Sequence, residues 1–510
     1  MSEPQMSEPP VSGPAVGEQP WQRLDRRMLI VEPIRAIKDF FPLIIAAFLF
    51  GRSDFSDLPW QLLVAVFPIG WGLLRFWATR FRISEGRLEL QTGLLNRQRR
   101  STSLDRIRTV DFTASPLHRV LGLTSVKMGT GISSVGDGDL VLDGLAKERA
   151  EQMRSELLAG PSAQEIEETA GSDLGQAPRT GEIVAQLDPK WAKYGPLTTT
   201  GLVAPLSLIG FLIYLGSEFG SSADFTKYRL DSLAIGLIAF ISVVLFFVLA
   251  IVVPIAGYLV ANWGFRLTRE PAAWSVSRGL FTTRRTHLDR ERVAGVSIGE
   301  ELPLRLAGGA RLSAISTGIN LLSDDSSVLL PAASRGVVDK AAAEVLGVQS
   351  PVSAQLRKHG SAAATRRWTR ALIPVLGLAV AAGVATWLGY LPTWLLLALP
   401  VLLVLAAVVA WDRVRMLGHL LTESHLVFRS GSLSCDREIL RTDQIIGWNF
   451  TSNPFQRRVG LANLVATTAG GSQSITAIDI PLEAAVAVAN EAVPGLASQF
   501  LAEPTITKTT

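Results

Sequence analysis

Three pairs of long apolar runs restrict what this chain can fold into more than any other feature. Residues 40–50 and 60–76 form the first pair, 201–216 and 233–260 the second, and 371–389 and 394–411 the third. Crossing a bilayer as a helix takes about 20 apolar residues. The second and third pairs reach that length. The run 40–50 is short, but residues 33–38 extend it into the interface, with Lys38 snorkelling toward water. The expectation is six transmembrane helices arranged as three hairpins. Composition agrees, with 48% hydrophobic and only 18% charged residues, where soluble domains carry about 25% charge.

Charge around the runs sets an orientation. The tight connections contain Arg52, Lys227 and Arg229 as their only basic residues. The outer flanks carry Arg26, Arg27, Arg35, Lys38, Arg80, Arg82, Lys190, Lys193, Arg266, Arg269, Arg366, Arg367, Arg370, Arg413 and Arg415. The positive-inside rule therefore predicts a multi-pass protein of the cytoplasmic (cell) membrane, with both termini and all large loops cytoplasmic. Trp60, Trp191, Trp263, Trp368, Trp394 and Trp411 sit near the predicted helix ends, where an indole finds both apolar and polar surroundings. Residues 1–20 hold no basic start and no apolar core, so no cleavable signal peptide is expected. A net charge of +4 does not point to nucleic acid, and the single cysteine, Cys435, excludes an internal disulfide framework.

After each pair the chain repeats itself. Gly93, Gly279 and Gly431 are each followed 14 residues later by an aliphatic residue, Ile107, Val293 or Ile445. Pro116, Pro303 and Pro454 come next, and six residues beyond each lies Gly122, Gly309 or Gly460. Residues 88–91 and 427–430 read as strands. The alanine-rich stretches 142–158, 337–346 and 482–493 read as amphipathic helices that close each copy. One copy is thus a helical hairpin, several antiparallel strands and a capping helix. The predicted organisation is a disordered N terminus (1–20), an interfacial segment with hairpin 1 (21–79) and domain 1 (80–158). An acidic flexible linker (159–185) leads to hairpin 2 (186–262), domain 2 (263–347), hairpin 3 (348–412), domain 3 (413–496) and a tail (497–510).

Those residues resemble the bacterial pleckstrin-homology (PH) domain of subtype 2, as found in YdbS/YdbT-like membrane proteins. The first copy carries the likeness best, through Ser84, Gly93-Leu-Leu, Asp105-Arg-Ile107, Ser115-Pro-Leu-His-Arg-Val-Leu-Gly-Leu123 and Thr130-Gly131. The second departs at Glu301-Leu-Pro303 and Gly309-Ala310; the third keeps Asn453-Pro-Phe-Gln-Arg457 and Gly460-Leu461. The resemblance implies that a PH-like bent antiparallel β-sheet or barrel with a C-terminal helix, cytoplasmic, follows each hairpin. It implies no enzymatic activity, a protein partner that could be a single-unit PH-domain relative, and a role in envelope stress or antimicrobial-peptide resistance.

Chemical motifs are sparse. Gly129-Thr-Gly131 and Gly136-Asp-Gly138 lack the Gly-Lys-Ser/Thr of a phosphate loop. His419 and His425 are six apart, not the four that share a helix face, so no metal site is expected. No Ser, His and Asp order recurs between copies, and no cofactor is implied. The arginines are the open question. Arg87, Arg97, Arg99 and Arg100 cluster at the start of domain 1, and Arg97 and Arg99 fall on one face of a strand. There, guanidinium groups could grip the phosphate of an anionic lipid. Arg284 and Arg285 repeat this weakly, and Arg437 hardly at all. Within the apolar runs only Arg75 is ionisable, so no ion path is expected. Gly377, Ala381, Ala379 and Gly383 have the spacing of close helix contacts. The expected function is a non-enzymatic platform of three PH-like domains on the bilayer that binds a membrane-protein partner. The alternative is an anionic-lipid sensor working through Arg87, Arg97, Arg99 and Arg100.

Overall fold

The computed structural model describes residues 21–50, 60–84, 87–93, 98–103, 109–129, 139–150, 181–199, 201, 203, 210, 232–316, 327–468 and 474–495. The N terminus 1–20, most of the acidic linker, nearly all of the run 201–216, both glycine motifs beyond Gly129, Arg97, Ile107 and the C-terminal tail lie outside them. The described residues fall in two compact units, 21–150 and 181–495.

The first unit opens with β1 (Gln22–Arg23), followed by helices α1 (Met28–Phe50) and α2 (Trp60–Ala78). Then come β2 (Arg80–Ser84), β3 (Arg87–Thr92), β4 (Gln98–Ser103), β5 (Thr109–Ala114), the short helix α3 (Pro116–Leu121), β6 (Leu123–Gly129) and β7 (Asp139–Ala146). The helices α1 and α2 pack together, with the Phe40 ring edge-on to Phe67 at 5.7 Å. Strands pair antiparallel in the orders β1-β2-β3-β4 and β5-β6-β7. Period-2 alternation turns Phe81, Leu88 and Leu90 inward onto Val126, Met128, Leu140 and Leu142. The first turns of α1 add Met28 and Val31 to that core. Residues 142–146, expected in the capping helix, instead continue strand β7. Leu140 and Leu142 point in while Val141 points out, a period of two rather than 3.6.

The second unit starts with β8 (Glu182–Gln186), a 3-10 helix at Pro189–Leu197 and helix α4 (Ser232–Asn262). One copy then runs β9 (Arg266–Arg269), β10 (Ala273–Arg278), β11 (Thr283–Asp289), β12 (Val293–Glu301), α5 (Leu302–Leu306), β13 (Gly309–Ser316), β14 (Val328–Ser334) and α6 (Arg335–Leu346). After helices α7 (Gly360–Trp387) and α8 (Ala398–Arg415), the succession repeats. It comprises β15 (Gly418–Leu421), β16 (His425–Gly431), β17 (Ser434–Arg441), β18 (Ile445–Thr451), α9 (Pro454–Arg458), β19 (Leu461–Thr468), β20 (Ser474–Pro481) and α10 (Leu482–Ala492). The capping helices bury one face at i, i+3 and i+4: Val338, Ala341 and Ala342 in α6, and Ala485, Val488 and Ala489 in α10.

The landmark glycines have physical causes. Gly93, Gly279 and Gly431 adopt φ of 94°, 109° and 122°, which only glycine takes without strain. Gly122 and Gly460 both have φ 67° after their short helices. In the middle copy that place belongs to Gly308 (φ 71°), not to Gly309 as the spacing predicts. The amide of Arg335 donates to Gly308, as Lys147 does to Gly122 and Leu482 to Gly460. Gly309 serves another purpose: a Cβ there would lie 2.6 Å from Leu304 and 2.8 Å from the Tyr194 ring.

In each copy a segment from upstream of the helices pairs with the first strand after them. β1 pairs with β2, β8 with β9, and Arg357 bridges to His419 on β15. The expected domain starts at 80, 263 and 413 leave these residues out. A second departure concerns Trp191, which is buried in the core beside Phe265 at 6.3 Å rather than at a headgroup boundary. Trp263, Trp394 and Trp411 are exposed, as indoles at such a boundary would be.

Three helical segments, Val243–Asn262, Gly360–Trp387 and Thr393–Arg415, are long and apolar enough to cross a membrane. Their mean hydropathies are 2.9, 1.6 and 2.6, and at most 11% of each apolar window is buried within the protein. Surfaces this apolar and this open need an apolar surrounding. α7 and α8 pack against each other through a turn at Gly389, whose φ is 81°.

Candidate functional site

Cross-strand partners share a face of a sheet, and the register of β1 to β4 therefore sorts the arginines. Arg23 pairs with Arg80, Arg82 with Glu89, and Gln91 with Arg99, while Arg87 faces Ser84 and Ser103. Arg23, Arg80, Arg82, Arg87 and Arg99 thus lie on one outer face, with Glu89 as its acid. Arg100 pairs with buried Leu90 and belongs to the opposite face. The predicted quartet is therefore divided: Arg87 and Arg99 share a face but stand four residues apart along the hairpin, about 13 Å, and Arg97 is outside the described residues. Sequence reasoning missed Arg23, Arg80 and Arg82, although strand alternation from Arg80 would have included two of them.

Aromatic rings organise this face. Arg82 lies over Trp21 at 4.9 Å and Arg99 over the same ring at 5.8 Å, while Arg23 lies over Trp77 at 5.9 Å. Arg82 also holds Glu89 at 2.7 Å. Because α2 ends at Ala78, this basic, aromatic surface begins two residues beyond an apolar helix. Arg437, which hardly repeats the pattern in the sequence, is no part of such a face. That side chain is buried and donates to the carbonyls of Pro351 at 2.9 Å and Ala354 at 2.8 Å.

A second arrangement recurs in all three copies. The last strand of each copy slips register opposite Thr124/Val126, Ala310/Leu312 and Ala462/Leu464, leaving a β-bulge. A group from a preceding helix reaches into every bulge. In the first copy Arg35 of α1 pairs with Asp143, which also accepts from Nε2 of His118 at 3.2 Å. His118 Nδ1 takes the Ser115 hydroxyl at 2.5 Å. Burial pushes the Asp143 carboxyl up, but the His118 hydrogen bond and the Arg35 charge outweigh it and hold it down at about 2. In the middle copy Tyr258 of α4 donates to the Ala332 carbonyl at 2.6 Å.

The third copy has the most complete version. Asp479 is fully buried and adopts φ 55°, the one positive value among described non-glycine residues. Its Oδ1 accepts from Arg366 at 2.9 Å and Gln456 at 2.8 Å, and Arg367 lies 3.1 Å from Oδ2. Gln456 and Asn453 form a reciprocal capping box, and Asn463 links Gln456 to the Asp479 amide. His359, at the start of α7, donates from Nδ1 to Ile478 at 3.0 Å. Its ring centroid lies 5.0 Å from that of His419, a neighbour that the sequence spacing did not point to. Burial, then the neighbouring His359 and Arg357, pull His419 down to about 4.

The line Ser115, His118, Asp143 resembles a hydrolytic triad in composition only. In the third copy the positions of Ser115 and His118 hold Asn453 and Gln456, and Gln456 donates to Asp479, one place further along the bulge than Asp143, so the bonding recurs without a serine or a histidine. The pattern joins helix to sheet. Its carboxylates were missed in the sequence, although Asp143 and Asp479 each interrupt an apolar stretch of a final strand and pair with an arginine shortly before an apolar run.

Among the described residues the molecule is therefore a set of antiparallel sheets bolted to long apolar helices, with the last two copies each closed by a helix. The bacterial PH domain family profile matches the chain twice, at residues 40–160 and 371–492, so each of these stretches is similar to a bacterial PH domain. The helix arginines of the bulges, Arg35 and Arg366, stand five residues before the start of each match. Searches of curated proteins and of solved structures returned no match.

Proposed function

We propose that this chain is a non-enzymatic membrane scaffold whose three PH-like domains, the middle copy included, are held rigidly at the cytoplasmic face. The observation that carries this reading is the helix-to-bulge contact in every copy. A domain on a flexible tether would not need Arg35, Tyr258 or Arg366 inside its sheet. Such contacts fix each domain against its helices and so present the domain surfaces in a set geometry. The partner on this reading is another membrane protein, for which a PH-like domain of its own is one form. Extraction of the intact protein with its surrounding lipid, followed by mass identification, tests it. A stoichiometric protein companion is expected, and a chain that emerges alone under mild extraction refutes the scaffold.

A second reading is favoured by the outer face of β1 to β4. Five arginines against one acid, set on Trp21 and Trp77, would attract anionic headgroups by about 1 kcal/mol per residue. Replacing Arg80, Arg87 and Arg99 by alanine in lipid nanodiscs should then lower retention of phosphatidylglycerol several-fold relative to phosphatidylcholine. Equal retention in both would remove lipid reading from the function and leave the protein partner.

A further inference from the structure

In the second unit, the middle and last copies are joined edge to edge. β12 pairs on one side with β13 and on the other with β17, in a register running from Gly295 opposite Leu440 to Glu301 opposite Ser434. The sheet order is β14-β13-β12-β17-β16-β15. Gly295 makes this closeness possible, since a Cβ there would meet the Ile439 carbonyl oxygen at 2.0 Å.

β18 is the counterpart of β12 in the last copy. Both start 14 residues after the turn glycine, and both carry a bulge at their start, between Val293 and Gly295 and between Ile445 and Gly447. Gly447 therefore occupies the place of Gly295. Among the described residues β18 pairs with β19 alone, at the edge of a three-stranded sheet. What is covered in β12 is open in β18: Ala294 and Ile298 are 0% exposed, whereas Ile446 is 58% and Phe450 40% exposed. The strand has no charge and no proline, the usual protections of a free edge. The Trp448 Nε1 within it is buried, with no hydrogen-bond partner among the described residues.

The strand that would fit is the counterpart of β17, and the chain carries one. β4 corresponds to β17 through the pairs Leu88 with Thr102 and Leu426 with Leu440. Among the described residues β4 pairs with β3 alone. We infer that a second copy of this chain adds its β4 to β18, a head-to-tail contact that repeats the β12–β17 junction between molecules. The register follows from that junction: Gly447 opposite Thr102, Trp448 opposite Ser101, Asn449 opposite Arg100, Phe450 opposite Arg99 and Thr451 opposite Gln98. Phe450 then offers Arg99 a ring face. Such a contact is heterologous, so copies assemble as a ring or a row in the membrane.

Two differently tagged full-length chains, co-expressed and oxidised in isolated membranes, test this. Phe450→Cys in one and Arg99→Cys in the other should give a disulfide-linked heterodimer, while Phe450→Cys with Ser103→Cys, four residues out of register, should not. Each chain retains buried Cys435, and the unsubstituted pair serves as control. Absence of the in-register link, in variants with unaltered amide protection of β18 and β19, overturns the proposal, as does equal linking of both pairs. Energy transfer between labelled copies gives the second readout. Ile446→Lys with Phe450→Lys should weaken association about tenfold or more, and unchanged transfer overturns it.

Discussion

Replacing Asp479 by asparagine removes one negative charge from the most enclosed polar cluster of the molecule while keeping its shape. Asparagine also tolerates the left-handed backbone at φ 55° better than other non-glycine residues, so the change isolates charge. Arg366 and Arg367 would then face an uncharged amide in a site where their own side chains are only 11% exposed. Removing one partner from a buried ion pair costs about 3–5 kcal/mol, a large share of the 5–15 kcal/mol that holds a typical domain. Asp479→Ala should lose about 1 kcal/mol more through backbone strain, and Asp479→Gly should fall between the two. Pulse proteolysis and hydrogen exchange on the protein in nanodiscs read this directly. Protection should drop both in β19 and β20 and in the first turns of α7, because the cluster joins them. Adding Arg366→Gln to Asp479→Asn should restore part of the loss. A midpoint within about 1 kcal/mol of the parent, or additivity of the two changes, would refute the claim that this pair bolts helix to domain.

Asp143 titrates lower folded, at about 2, than unfolded, so its contribution is present above pH ~4 and is lost as pH falls toward 2. Hydrogen exchange of β7 should lose about 2 kcal/mol of protection across that window, and Asp143→Asn should flatten the curve. Glu438 on β17 has the opposite sign: burial, then nearby Asp436, push its carboxyl up to about 7. The folded state favours the neutral acid, that advantage disappears as pH rises through 7, and Glu438→Gln should raise the melting midpoint at pH 8 but not at pH 4.5. Gly309→Ala should cost about 1–3 kcal/mol by pressing on Leu304 and Tyr194. Gly308→Ala, with open space around it, should cost about 1 kcal/mol through its positive φ, and Gly308→Asn less; equal losses for Gly309→Ala and Gly308→Ala in thermal melts would contradict this division.

The repeat was legible because its landmarks are backbone requirements that few residues can meet. A hairpin turn with φ near 100° needs Gly93, Gly279 or Gly431, and a short helix admits Pro116 or Pro454 at its first position. Spacing failed at Gly309, since α5 enters and ends one residue out of step with its counterparts and no composition cue marks that shift. The strands contributed from upstream were not legible either. Gln22–Arg23 is two residues long and Arg357 a single bridge, too short for alternation to show. The arginine face was half visible: the strand was recognised, but Arg100 alternates away from it, and the tryptophan that collects Arg82 and Arg99 comes from a segment before the helices.

Those upstream strands settle a question of parity. Neighbouring strands of a sheet lie about 4.8 Å apart, and a hydrogen-bonded sheet cannot straddle a bilayer some 30 Å thick. The β1–β2 pairing therefore obliges residues 24–79 to leave and re-enter the membrane on one side, so that any crossings between them come in even number. The same holds for residues 187–265, between β8 and β9, and for residues 358–417, between Arg357 and β15. Strand pairing imposes this parity independently of hydropathy and of loop charge. A reporter placed at residue 23 and another at residue 80 must be reached from the same compartment, and the cell cannot complete either sheet until the intervening stretch has been threaded out and back.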